Sequence, residues 1–440
     1  MAGERRPRAG RSLFLSVLVV ALAWPVVVSG AVAQPREKAP SRGPSYVEKV
    51  TRLLQRDFQL PRYPAQGRIE CENGFAGPYP CKEFDLMSHV TLAQMGGTRG
   101  NDIWGWADPV TDQEWALMGM NNGTAFVDVT DPENPVVIGR LPTHTFNSSW
   151  RDIKVFNDHA FVVADNAGAH GMQVFDLTHL RTAPPGTIFP EDAHYPGFAN
   201  SHNININEDT GFAYAVGSNT CAGGLHMVNI NDPSNPQFAG CVSSDGYTHD
   251  TQCVIYQGPD AEHRGQEICF SSNEDTLTIV NVTNKAAPVQ LSRTPYPGSA
   301  YTHQGWLKPD QTLFALDDEL DEQRFGHNTR TRFFDVTNLE APFISFIFDG
   351  PTPAIDHNLY WLRDHVFQSN YRAGLRLLFL PTGGVHRVRE RGYFDVHPAN
   401  DLPQFNGSWS NYPFLPSRNI LVSSIEEGLF VLQFSGLTPP

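Results

Sequence analysis

Four histidines recur in one context, as His202-Asn203, His249-Asp250, His303-Gln304 and His357-Asn358, at intervals of 47 to 54 residues. Each is followed by an amide or a carboxylate. Imidazoles and carboxylates brought to one place could ligate a metal ion, hold a polar ligand or move protons. A histidine that only clamps a loop through a hydrogen bond leaves the same trace in sequence. The chemistry therefore turns on whether the fold gathers the four.

A repeat supplies the elements that would position them. A strand followed by a turn appears as "GTAFVDVTDPENP", "GMQVFDLTHL", "GLHMVNINDPSNP", "TLTIVNVTNKAAP", "RTRFFDVTNLEAP", "AGLRLLFLP" and "EGLFVLQF". Aligned on Asp128, Asp176, Asn229, Asn281, Asp335, Phe379 and Gln433, the copies are spaced by 44 to 54 residues. Seven copies at this period predict an all-β, seven-bladed β-propeller with one four-stranded sheet per blade. In the third copy "HNININ", "FAYAVG", "GLHMVNI" and "PQFAGCV" read as successive strands, inner to outer. The seventh copy stops after its third strand, whereas "FDLMSHVTL" (84–92) is an apolar run without a blade of its own. It is expected to be the missing outer strand, which closes the ring and removes a free sheet edge. The division expected is a signal segment at 1–33, a leader at 34–83 and the propeller at 84–440. The leader would carry a short helix around "YVEKVTRLL" and a Cys71–Cys81 loop.

Two registers follow from aligning the first strands. One reads Asn101, Arg151, His202, His249, His303, His357 and Ser410; the next reads Asp102, Asp152, Asn203, Asp250, Gln304, Asn358 and Asn411. The second set suits a side chain that hydrogen-bonds neighbouring backbone once per blade. First strands border the channel of a propeller, and their beginnings share a face with the loops joining second and third strands. Those loops carry Asp165, Glu274, Asp317, Asp318, Glu319 and Glu426 among other polar residues. The channel mouth is thus expected to present Arg151, Asp152, His202, His249, Asp250, His303, His357, Asp165 and Glu426. The metal set easiest to assemble is His249, His303, Glu274 and Asp317, around a divalent ion. "DDELDE" (317–322) is rich in oxygen ligands but lacks the pattern of a defined calcium loop, and reads as a solvated acidic loop. The chain holds no GxSxG elbow, phosphate-binding loop or HExxH, so no catalytic residue is assigned.

Arg5, Arg6, Arg8 and Arg11, the apolar run 12–28 and the small residues Ala31 and Ala33 have the order of a secretory signal peptide. No second run of that length follows, so the mature chain is expected to lack a membrane span. Six cysteines, an even number, suit disulfides outside the cytosol. Nearest-neighbour pairing is expected: Cys71 with Cys81, Cys221 with Cys241 inside one blade, and Cys253 with Cys269 across one hairpin. A net charge of −15 argues against a nucleic-acid partner.

The stretches "NDIWGWADPVTDQEWALMGMNNGTAFVDVTDPENPVVIGRLP" and "WRDIKVFNDHAFVVADNAGAHGMQVFDLTHLR" resemble the choice-of-anchor B family with its LVIVD repeats. "CENGFAGPYPCKEFDL" (71–86) is similar to that family's opening. The resemblance spans about residues 70–435 and implies export, followed by a sorting or anchoring signal. Here the chain runs out in "GLTPP", so the expectation is a protein released outside the cell or into a periplasm. The resemblance brings no reaction with it. The expected function is a binding module for a protein, peptide or glycan at the channel mouth. The alternative is a metal-dependent enzyme, an oxidoreductase or hydrolase, using the same groups.

Overall fold

The computed structural model describes residues 62–381 and 388–436. The expected signal segment and the helix around "YVEKVTRLL" lie outside them. Seven sheets follow one another along the chain, antiparallel but for the short strand Thr187–Ile188 at the edge of the first, and blades 1 to 6 each run from an inner to an outer strand in sequence order. The inner strands of blades 1 to 7 are Gly100–Ala107, Arg151–Phe156, Asn203–Asn207, Asp250–Ile255, Thr302–Leu307, Leu359–Leu362 and Ser408–Tyr412. Each lies beside the next around the ring, and the seventh lies beside the first. The chain is a seven-bladed propeller.

Closure occurs as expected. Phe84–Thr91 pairs antiparallel with Gly428–Phe434, with His89 opposite Phe430 and Asp85 opposite Gln433. The segment before it is more than a leader. Tyr79–Lys82 extends blade 6 by pairing with Arg389–Phe394, and Phe75–Ala76 folds back on it as a further strand. The reason is burial: Ala76 and Tyr79 are 0 % exposed and pack with Phe84, Phe394 and Phe430 between blades 6 and 7.

Local chemistry explains why the repeat forms turns at the aligned position. Asp128, Asp176, Asn229, Asn281 and Asp335 each accept, through a side-chain oxygen, a hydrogen bond from the backbone N–H two residues on. That is the turn these short side chains favour. Phe379 and Gln433, in the last two copies, cannot make it. A bulge between third and outer strands recurs at Phe126/Val127, Met227/Val228, Ile279/Val280, Phe333/Phe334 and Leu377/Leu378. It adds local twist to each blade's edge.

The core has no single centre. Among the described residues one apolar cluster fills each joint between neighbouring blades. Leu421 and Val431 of blade 7 meet Met118 and Val127 of blade 1, and Phe270 of blade 4 stacks on Phe314 of blade 5 at 5.6 Å. The three expected disulfides are present: Cys71–Cys81, Cys221–Cys241 and Cys253–Cys269. Cys253 and Cys269 face each other directly across a hairpin.

Leu86 in the closing strand is fully buried. Leu86→Ala should destabilise the protein by about 2–5 kcal/mol in urea unfolding, as a core truncation does. Val289→Ala, on the exposed outer strand of blade 4, should change stability by less than about 0.5 kcal/mol.

Candidate functional site

The four histidines do come together, as one arc over blades 3 to 6. Ring centroids are separated by 4.4 Å from His202 to His249, 4.1 Å from His249 to His303 and 4.3 Å from His303 to His357. The rings stand side by side, tilted by 38° to 55° to one another, because equivalent residues at the starts of adjacent inner strands are neighbours. Three of the rings are anchored by a hydrogen bond at Nδ1. His249 Nδ1 donates to the His303 carbonyl (2.9 Å) and His357 Nδ1 to the Trp409 carbonyl (2.5 Å). His202 Nδ1 meets Asp165 at 2.9 Å, and His303 Nδ1 lies 3.3 Å from Asp317 Oδ1. A carbonyl can only accept, so His249 and His357 carry a proton on Nδ1. Burial pushes the His357 pKa down to about 3, which holds the ring neutral.

Two of these Nε2 atoms point at one carboxylate. Glu319 Oε1 lies 4.0 Å from His303 Nε2 and 3.7 Å from His357 Nε2. All three residues are at most 6 % exposed. They form a group that could hold a metal ion. An ion about 2.1 Å from each ligand atom spans separations up to about 4.2 Å. Tyr371 supports the carboxylate: its hydroxyl donates to Glu319 Oε1 (2.9 Å), and its ring sits 4.5 Å from that of His357. Tyr371 has φ +36°, the sparsely populated left-handed region for a bulky residue. Backbone strain held at a site of this kind is a mark of function. Trp150, Ile355, Phe405, Trp409 and Ile425 pack with Tyr371 as an apolar wall.

This differs from the metal set the sequence suggested. His303 belongs to it; His249, Glu274 and Asp317 do not. His249 sits between the rings of His202 and His303. Glu274 reaches blade 5 through its backbone, accepting from Thr302 N at 2.7 Å. Asp317 takes the Gln304 N–H and the Nδ1 side of His303. Glu319 and His357 replace them because the loop after Leu313–Asp318 turns back across the joint between blades 5 and 6.

The other expected mouth residues are structural ties. Asp152 accepts from Ile204 N of blade 3 (2.6 Å), as Asp102 does from Ile153 N of blade 2 (3.2 Å). Asn203 donates to the His249 carbonyl, and Gln304 exchanges two hydrogen bonds with the backbone of Leu359. The amide and carboxylate register thus joins blade to blade, as expected. Glu426 receives hydrogen bonds from Asn406 and Gly407 N and holds the entry to blade 7. Asp250 is half-buried, and desolvation with Asp152 nearby pushes its pKa up to about 7.

Arg151 leaves the histidine arc, although it shares its register. Its guanidinium donates to the Met120 carbonyl, Thr143 Oγ1 and His170 Nε2, between blades 1 and 2. His170 Nδ1 donates to the Gly171 carbonyl, so the ring is neutral and accepts from Arg151. One channel group had no place in the sequence reading. Lys154 Nζ lies 2.6 Å from Asp152 Oδ1 and 3.6 Å from Asp102 Oδ2, and 4.5 Å over the Trp104 ring. Burial opposes its charge, but Asp152 and Asp102 outweigh that and raise its pKa. The signal was present: a strand's period of two puts Lys154 on the face of Asp152.

The comparisons speak to the fold. No protein-family model matches the chain, and no curated protein matches it. Among solved structures it is similar to the β-propeller domain of Myceliophteria thermophila Cps50 (Swd1), with TM-score 0.51 and 11% identity, over 79% of this chain and 98% of that one. A Lactobacillus plantarum protein aligns with TM-score 0.48 and 13% identity, over 73% of this chain and 88% of that one. At such identity the first likeness shows the propeller fold alone.

Lys154→Met should cost about 3–5 kcal/mol in urea unfolding, because it leaves Asp102 and Asp152 buried against each other. Adding Asp102→Asn should recover part of the loss. A second outcome concerns His170, whose pKa burial and Arg151 push down to about 3. An unfolded histidine titrates near 6.5, so the unfolded chain takes up a proton first and stability falls as pH drops below about 6.5. His170→Gln keeps an acceptor for Arg151 without titrating. The wild-type advantage over this variant should shrink by about 1.4 kcal/mol per pH unit between roughly pH 6 and 4.

Proposed function

We propose that this protein is an exported binding propeller whose channel mouth holds a transition-metal ion on His303, Glu319 and His357, and through it a small polar ligand. The observation that carries the reading is the convergence of two Nε2 atoms from adjacent blades on Glu319 Oε1, with His357 held at Nδ1 by the Trp409 carbonyl and His303 Nδ1 facing Asp317 Oδ1 at 3.3 Å. Metal-bound histidines characteristically have the second ring nitrogen held by a carbonyl or carboxylate, which fixes the tautomer and the aim. Two imidazoles and one carboxylate suit zinc, iron or another first-row ion. The half-exposed pair His202–Asp165 stands at the open end of the arc, where a ligand would enter.

Export is supported by three disulfides that use every cysteine in the chain. No helix among the described residues is long and apolar enough to cross a membrane. The resemblance to the choice-of-anchor B family and the arginine-led apolar run before residue 34 agree with it. The net charge of −15 disfavours nucleic acid as the ligand.

One observation favours a second reading. Three protein ligands leave coordination positions open, and catalytic metal sites keep such positions for water or substrate. Under that reading the protein is a metal-dependent oxidoreductase or hydrolase, with Tyr371 beside the open positions.

Mass spectrometry of metals in protein purified without chelator or affinity histidines tests the first step. Near one transition-metal ion per chain is expected in the wild type, and a loss of at least tenfold in Glu319→Gln and His357→Gln with the circular dichroism unchanged. Wild-type protein that is folded and still empty after dialysis against zinc, iron or manganese salts would overturn both readings.

A further inference from the structure

A second cluster, a few residues from the histidine arc in sequence, is made only of oxygen donors. Asp321 and Glu322 open the short helix Asp321–Phe325 after the second strand of blade 5, and Asp356 lies in the link from blade 5 to blade 6. The three are 0 %, 2 % and 0 % exposed. Each offers a carboxylate oxygen within 4.8 Å of the others. The "DDELDE" stretch is therefore not the solvated loop its composition suggests, because a residue 34 positions downstream covers it.

What marks this cluster is the absence of donors. Asp318, next to it, is fully satisfied: it accepts from Ala300 N, Tyr301 N and the Tyr296 hydroxyl. Asp321 Oδ2 is paired with Arg332 at 2.5 Å, and His327 Nε2 stands 3.6 Å from the same oxygen. By contrast Asp321 Oδ1, both oxygens of Glu322 and both oxygens of Asp356 are buried and meet no hydrogen-bond donor. Arg332 offsets one charge. Two more carboxylates remain, buried side by side, and a buried carboxylate without a partner is strongly disfavoured. A shared proton or a bound cation relieves such a cluster.

We infer that Asp321, Glu322 and Asp356 form a calcium-binding site that ties the blade 5 loop to the entry of blade 6. Five unpartnered oxygens match an ion that takes six to eight oxygen ligands at about 2.3–2.6 Å, with backbone or water completing the shell. The limiting separation of two ligands on one such ion is about 4.8 Å. All-oxygen ligands select a hard cation and disfavour the soft or borderline ions suited to the imidazole site. This inference does not rest on the proposed metal at His303, Glu319 and His357.

The test is calorimetric titration of the mature protein with calcium chloride after dialysis against a chelator, together with thermal unfolding with and without calcium. One calcium per chain is expected, with a rise in Tm of about 3 °C or more at a hundredfold excess over Kd. Glu322→Gln, an isosteric change, should weaken calcium binding at least tenfold and melt no earlier than calcium-free wild type. It should retain its transition-metal content, whereas His357→Gln should retain the calcium response. Should Glu322→Gln fail to fold, the wild-type titration still decides. No heat and no Tm shift up to millimolar calcium would overturn the site and leave a shared proton as the explanation. A calcium response that survives in folded Glu322→Gln would overturn it too.

Discussion

The ring depends on one antiparallel pairing, that of Phe84–Thr91 with Gly428–Phe434. Among the described residues an apolar cluster fills each joint between two blades, so each such layer exists only while both neighbours are held. Were the seventh blade open, the layers on either side of it, with blades 6 and 1, would face water together. Carboxylate and amide bridges such as Asp152 to Ile204 N and Gln304 to Leu359 repeat the same logic on the channel side. The chain closes itself by hydrogen bonds at the rim and by short polar ties at the hub.

That rigidity is what a site of buried imidazoles requires. His303 and His357 come from different blades, and their separation from Glu319 is set by how those blades pack. A ligand set on strand starts and a short loop is held more closely than one on free loops. The surroundings are apolar on one side, with Trp409 and Phe405, and rich in buried carboxyl groups on the other, with Asp317, Asp356 and Glu322 close by in the chain. The acidity of the protein is thus not confined to its surface. Part of it is concentrated at the joint of blades 5 and 6.

The fold was legible because its cues are local. A short Asp or Asn accepting from the amide two residues on is encoded within a few positions, and five copies mark five blades. Alternation marks the strands, and an apolar run lacking a blade marks the closing strand. The hairpin at 75–82 escaped notice because its partner, Arg389–Phe394, is some three hundred residues away. The site was legible only in part. Alignment fixes height along the channel, which brought out the four histidines, but it does not fix the direction of a long side chain. Arg151 shares the histidines' register and turns between blades, whereas Glu319 and Glu274 are both acidic loop residues and only one meets the imidazoles. Lys154 could have been found, since Asp152 already defined the inward face.

The pairing that completes the ring also joins segments more than about 330 residues apart in the chain. Residues 84–91 are synthesised before any blade exists, and their partner is the last strand among the described residues. Until then this apolar segment has nothing to pair with, while blades 1 to 6 can collapse one upon another. Contacts so remote in sequence carry the largest loop-closure entropy and form slowly. The half-built ring therefore exposes an unpaired strand at each end during its folding, which is the interval in which such intermediates associate wrongly with one another.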